Sequence, residues 1–373
     1  MRRFNVTGTC VGHKHYMVDI SAKLDEIDKL IELEHYLTIN RARQYGKTTT
    51  LLHLKKRLDA SEEYICASIS FEDTGVSAFD TEETFCDMFL DKISKALRFS
   101  SAEKDYSKKW YNPEVSSFKT LNEHITAMCE DKKLVLMIDE VDKSSNNRLF
   151  LHFLGVLRAK YLARQASMDY TFHTVILAGV TDIKNLKLKM INDGVYSILI
   201  EEGRIANSPW NIAADFDVDM SFSEEDISTM LREYEADIKT GMDISAVAHK
   251  INTQTNGYPF LVSRICKHID EKLNRNWSIS GVEEAVQIIL AERNVLFDDM
   301  TKNLENYKNL YDFMYELLVV GETKTFNIDN PDVSLASTFG YIKRANGSNK
   351  IAVCNRIFEI RMTTTLHQKT RMF

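Results

Sequence analysis

The sequence predicts an α/β fold: a five-stranded parallel sheet flanked by helices, followed by a small helical lid and a C-terminal winged-helix-like module. Three observations carry that expectation. Leu37-Thr38-Ile39-Asn40 reads as a short buried strand running into Arg41-Ala42-Arg43-Gln44-Tyr45-Gly46-Lys47-Thr48-Thr49, a tight loop closed by Gly-Lys-Thr with an amphipathic helix behind it. Leu134-Val135-Leu136-Met137-Ile138-Asp139-Glu140 is an unbroken apolar run ending in two carboxylates, as a strand buried on both faces requires. Strand and helix patterns alternate five times before the patterning turns helical near Ser223, and such alternation specifies a parallel sheet with right-handed crossovers.

Taken in order, a helix over 21–34 places Leu24, Ile27 and Ile31 on one face, and the strand at 37–40 follows it. Behind the loop, Leu51, Leu54 and Leu58 recur at i, i+3, i+7 and form a stripe that can pack on a sheet. Tyr64 to Phe71 is a second strand, and 81–97 a helix with Phe85, Met88, Phe89, Ile93 and Leu97 along one side. Residues 99–116 are polar and read as a loop, followed by a helix at 118–130. After the carboxylate strand come a helix from Arg148 to Arg164, a buried strand Thr174-Val175-Ile176-Leu177-Ala178-Gly179-Val180, an irregular stretch at 183–214, and a final alternating strand at Phe216–Met220.

Ser223-Glu224-Glu225-Asp226 is a helix-start signal, with Ile227, Met230, Leu231 and Tyr234 at helical spacing behind it. Helices at about 243–254 and 259–274 are separated by Asn256-Gly257-Tyr258-Pro259, where Gly closes one and Pro opens the next. A linker helix at 281–305 and a helix at 307–319 lead to Asn346-Gly347 set between two β-rich runs, a hairpin signal. These readings divide the chain into a core at 1–221, a lid at 222–278, and a linker helix with the winged-helix-like module at 279–373. The tail from Thr363 matches no motif.

The loop's residue types have a chemical reason. Backbone N–H groups of a tight loop and first helical turn wrap the β- and γ-phosphates of a nucleotide. Lys47 reaches those phosphates as a point charge, and the Thr48 hydroxyl completes a Mg²⁺ coordination sphere. Gly46 admits the anion without a Cβ in the way. Asp139 holds the metal through water, and Glu140 polarises the attacking water as general base. Together the two segments predict a P-loop NTPase binding a nucleotide with Mg²⁺. One departure stands out: the usual pattern has glycine six residues before the lysine, where this chain has Arg41.

Composition sets the outer bounds. Hydrophobic content of 44% and charge of 27% in 373 residues match a globular protein of two or three domains. The longest apolar runs are strand-sized and the N-terminus lacks the apolar core of a secretory signal, so a cytoplasmic protein with no membrane contact is expected. Six cysteines (10, 66, 86, 129, 266, 354) show no Cys-x-x-Cys pair, which argues for reduced structural thiols and against zinc; His13 and His15 read as surface residues. Residues 341–373 carry seven Lys/Arg and one Glu, net +6, which leaves −13 on residues 1–340 from the total of −7. Lys343, Arg344, Lys350, Arg356 and Arg361 thus offer a basic end that allows nucleic-acid contact.

Five segments, taken together, resemble a known family. They are His15-Tyr16-Met17-Val18-Asp19, the Arg41–Thr48 loop, Ile138-Asp139-Glu140, Ile176–Asp182 and Asn256-Gly257-Tyr258-Pro259-Phe260-Leu261. They are similar to the AAA-like P-loop ATPases of bacteria, related to the archaeal-ATPase and STAND branch, whose loop often lacks the first glycine. The resemblance implies that Gln44, Tyr45, Gly46, Lys47, Thr48 and Thr49 bind the phosphates. It implies that Thr181 or Asp182 senses the γ-phosphate, with a strand-terminal cap as the other reading. Gly257 and Pro259 approach the adenine or merely punctuate two helices; Tyr16 and Met17 pack on the base or staple the first helix. Arg204, with Arg264 second, is the candidate arginine finger, a residue that relatives often supply from a neighbouring subunit of a homo-oligomer. Arg41 and Arg43 contact phosphate or shape the loop through salt bridges. The expected function is a slow ATP-driven switch in defence or regulation with an unidentified protein partner; the alternative is a nucleotide-gated DNA- or protein-binding module with negligible hydrolysis.

Overall fold

The computed structural model describes residues 1–100, 104–143, 148–180, 210–214, 216 and 218–370. They form two compact units. One comprises Lys23–Asn40 and Thr50–Val218; the other comprises Met1–Ala22, Arg41–Thr49 and Asp219–Phe373.

The first unit is built on a parallel sheet. Its elements run α1 (Ser21–Glu32), β1 (Leu37–Asn40), α2 (Lys47–Ala60), β2 (Ile65–Ser70), α3 (Glu82–Leu97), α4 (Lys104–Trp110), α5 (Phe118–Cys129), β3 (Leu134–Asp139), α6 (Arg148–Gln165) and β4 (Thr174–Gly179). The strand order is β1-β4-β3-β2, all parallel. β3 and β4 are buried at every position, the condition their unbroken apolar runs anticipate. Leu51, Leu54 and Leu58 of α2 are buried as their spacing demands. Thr81 and Ser117 each open a helix with a reciprocal capping box, so α3 and α5 begin where the sequence provides a hydroxyl.

The sheet corrects the sequence reading at its edge: four strands are present among the described residues, not five. The chain returns to β1 for a single bridge, Leu37 with Ala214, whose N–H donates to the Tyr36 carbonyl at 2.8 Å. Residues 218–220 form no strand, and Asp219 Oδ1 instead accepts from the N–H and hydroxyl of Ser221 at 2.9 and 2.7 Å. A short acidic side chain that caps its own neighbours competes with ladder pairing. A second correction is α4, inside a stretch read as loop. Its signal is only Tyr106 and Trp110 at i, i+4. Trp110 is nevertheless fully buried, stacked on Phe172 at 5.8 Å, and the helix is pinned by the Ser107 hydroxyl donating to Ser94 O at 2.8 Å.

The second unit is mainly helical: α7 (Glu224–Ile238), α8 (Ile244–Thr255), α9 (Pro259–Lys272), α10 (Ile279–Ala291), α11 (Val295–Asn306), α12 (Lys308–Tyr315), α13 (Pro331–Thr338), β5 (Ile342–Arg344), β6 (Ile351–Val353) and α14 (Arg356–Thr370). The N-terminal segment contributes Phe4, Tyr16 and Val18 to its core. His15 belongs there too, buried with Nδ1 accepting from the Val11 N–H at 3.0 Å, and is not a surface residue. The expected linker helix at 281–305 is two helices. Glu292 leaves α10 in extended conformation, and the Asn294 side chain caps α11 by accepting from Phe297 N–H at 2.9 Å. β5 and β6 pair antiparallel around Asn346-Gly347, as the hairpin signal predicts. Their connection is longer than a two-residue turn: Ser348 N–H donates to Ala345 O at 3.1 Å, and Gly347 has φ +69°. Most of the tail from Thr363, unassigned by motif, continues α14, which buries Met362 and Leu366. No helix among the described residues is long and apolar enough to cross a membrane.

Candidate functional site

In the sheet unit, the site begins with two strand ends. Asn40 closes β1 opposite Gly179 of β4, and Ile138 of β3 lies opposite Leu177, so β1 and β3 end level on one sheet edge. With β4 alone between them, the ends stand two strand spacings, about 10 Å, apart. Asp139 is the last residue of β3 and is buried, with Oδ1 accepting from the Glu140 N–H at 2.9 Å. Glu140 sits at φ +56°, a left-handed conformation that costs a residue with a Cβ about 1 kcal/mol or more. Asp142, which the sequence reading passes over, accepts from the Val180 N–H through Oδ2. Gly179 leaves room for it: a Cβ there would lie 2.8 Å from that oxygen and 3.0 Å from Val141. Its sequence signal is the third acid of Asp-Glu-Val-Asp, just past the pair that ends the strand.

In the helical unit, the loop between β1 and α2 has two left-handed residues, Gln44 at φ +59° and Gly46 at φ +83°, on either side of Tyr45. Alternation of this kind turns successive N–H groups inward as an anion nest. A Cβ on Gly46 would touch nothing within 4 Å of the chain, so the glycine answers to φ rather than to crowding. Lys47 starts α2 and is buried, its Nζ curling back onto the Arg41 and Ala42 carbonyls at 2.9 and 3.1 Å. Thr48 beside it is exposed, and Thr49 Oγ1 accepts from the Cys10 N–H at 3.2 Å.

A family model described as AAA-like domain matches residues 16–359. The chain belongs to the AAA-like domain family. No curated protein matches it. Among solved structures it is similar to a Walker-type ATPase of Pyrococcus abyssi, at 12% identity and a TM-score of 0.61, covering 96% of this chain and 99% of that one. That likeness shows a shared fold. The ORC2 protein of Aeropyrum pernix, in ADPNP–ADP complexes, is matched at 9% identity and a TM-score of 0.43 over 95% and 94% of the two chains.

In this AAA-like chain, Tyr16 is buried among Phe4 and Tyr234, at 5.1 Å from each ring, and its hydroxyl donates to Asp237 at 3.2 Å; Met17 is half-buried. Arg43 pairs with Asp299 at 3.3 Å, a salt bridge of the kind its second reading names. Arg264 holds Glu292 with two bonds of 2.7 and 2.8 Å, at the break between α10 and α11. Thr181, Asp182 and Arg204 lie outside the described residues. Pro259 opens α9 as its fixed φ permits. Tyr258, read only as the middle of Gly-x-Pro, is buried and its hydroxyl donates to the Arg43 carbonyl.

Gly257 has a strict steric role. At φ +70°, a Cβ would meet the Phe222 carbonyl oxygen at 2.0 Å and its nitrogen at 2.6 Å, and Phe222 N–H donates to Gly257 O at 2.9 Å. Gly257→Ala must therefore separate two hydrogen-bonded backbones. We expect it to lose more than about 3 kcal/mol of stability in a denaturant titration. A midpoint equal to that of the natural chain would show that the turn relaxes freely.

The basic end is largely committed to contacts within its own unit. Lys343 Nζ donates to Asn256 Oδ1 at 2.7 Å, Arg344 to the Ser348 carbonyl at 3.1 Å, and Arg356 pairs with Glu359 at 2.9 Å. Arg361 donates to the Leu290 carbonyl at 2.8 Å and lies over the Phe297 ring at 4.9 Å.

Proposed function

We propose that the chain binds ATP with Mg²⁺ and hydrolyses it slowly, as a STAND-like switch whose lid and winged-helix-like module respond to the bound nucleotide. One observation carries the reading. β1 and β3 end level on one sheet edge, the first running directly into a loop of left-handed residues closed by Lys47, the second into Asp139 and Glu140. Loop amides and the Lys47 ammonium bind the β- and γ-phosphates. The Thr48 hydroxyl and the Asp139 carboxylate are hard oxygen donors that suit Mg²⁺, which takes few protein ligands and completes its shell with phosphate and water. Bound there, the ion neutralises charge on the phosphate oxygens. Glu140 takes the proton of a water whose oxygen attacks the γ-phosphorus. The bond to the bridging oxygen breaks, and ADP leaves with the electron pair.

The contacts that Lys343, Arg344, Arg356 and Arg361 make within the chain support an internal role for the basic end over a duplex-binding one, most directly for the part-buried Arg361. The test is calorimetric titration with ATP in Mg²⁺, followed by a phosphate-release assay with and without duplex DNA. Saturable heat and slow release, unaltered by DNA, are expected. Absence of heat with both ATP and GTP would end this reading.

A further inference from the structure

Three consecutive carbonyls of the phosphate loop are held by side chains. Lys47 Nζ takes Arg41 O and Ala42 O, and the Tyr258 hydroxyl takes Arg43 O. In a trans peptide, the N–H of the next residue points opposite to the carbonyl. Fixing Arg43 O therefore fixes the direction of the Gln44 N–H, an amide of the left-handed nest. Two further contacts grip the same stretch. Arg43 pairs with Asp299 of α11, and Gly340, at φ +71°, lies so close that a Cβ on it would come within 2.8 Å of the Ala42 methyl. Tyr258 is itself fixed: it is buried, edge-on to Tyr45 at 4.8 Å and to Phe358 at 5.2 Å. Three separate segments after residue 250 thus converge on Ala42 and Arg43.

We propose that Tyr258 is a positioning residue for the phosphate loop: its hydroxyl aims the Gln44 amide, with the Arg43–Asp299 pair as a weaker second brace. This rests on the nucleotide reading above and deepens it. The brace is needed because the lysine that holds the neighbouring carbonyls is the same one assigned to the phosphates. When Lys47 turns to an anion, Arg41 O and Ala42 O lose their donor, while Arg43 O keeps Tyr258. The loop then retains its shape in both states through a residue that never touches the ligand.

The experiment compares Tyr258→Phe, Asp299→Asn and the natural chain by two measurements. In nucleotide-free protein, amide hydrogen exchange at residues 42–46 should quicken by about fivefold in Tyr258→Phe and by about twofold in Asp299→Asn, whose exposed ion pair is worth less. With ATP, Tyr258→Phe should raise KM about fivefold at unchanged kcat, the thermal midpoint staying near that of the natural chain. Unchanged exchange and unchanged KM in Tyr258→Phe overturn the proposal. A natural chain that binds no nucleotide overturns the nucleotide reading alone, because the exchange measurement still decides whether the brace exists. A fall in kcat at constant KM would also overturn the proposal, since it would place Tyr258 in the chemistry instead.

Discussion

Lys47→Ala should abolish nucleotide binding. The ammonium offers the phosphates charge-assisted hydrogen bonds worth about 1.5–3 kcal/mol each, so losing two weakens ATP on the order of 100-fold or more. The structure adds a control. Nζ bonds the Arg41 and Ala42 carbonyls at 2.9 and 3.1 Å from a buried position, so its removal frees two loop carbonyls as well as a charge. Water can satisfy them at a cost of about 1 kcal/mol, and alanine is a good helix former at the start of α2. The variant should remain folded, with only a small drop in thermal midpoint, while titration calorimetry detects no heat. Affinity within tenfold of the natural chain would remove Lys47 from the phosphate site.

Glu140→Gln separates binding from turnover. The amide keeps the side chain's shape but cannot take a proton at neutral pH, so kcat should fall by about 10²–10⁴-fold with ATP affinity held within about twofold. Its backbone conformation makes this a clean substitution. Glu140 is left-handed at φ +56°, and Gln bears the same cost there, so stability should not change. Glu140→Gly offers the contrast: it also loses turnover, but relief of that conformation raises the thermal midpoint. Phosphate release by Glu140→Gln at the natural rate would exclude it as the base.

An element is legible in the sequence to the extent that its cause is local. β1, β3 and β4, the α2 stripe and the capped starts of α3, α5 and α7 follow from periodicity and neighbouring hydroxyls, and each forms within a few residues of its expected bounds. Among the described residues no fifth strand forms; after the alternation at Phe216–Met220, Asp219 accepts from the Ser221 N–H and closes a local turn instead. α4 leaves little trace because one tryptophan, buried against Phe172, holds a helix whose other residues are mostly polar. The break after Ala291 depends on Glu292 finding Arg264 and His268, 28 and 24 residues away, which no local pattern records.

By itself, the sequence named the residues expected to carry phosphate and acid–base chemistry, because Gly-Lys-Thr and the strand-terminal Asp-Glu are local patterns. It also pointed to parallel strands, since short unbroken apolar runs alternating with helical patterns specify such a sheet, and the strands do pair in parallel. Only the tertiary structure decided what surrounds them: that Asp142 caps the end of β4, that Gly257 is a crossing point with Phe222, and that Tyr258, 215 residues beyond Arg43, bonds its carbonyl. A hydrogen bond or a missing Cβ between distant segments leaves no periodic trace along the chain, so such contacts become visible only when the backbone brings their ends together.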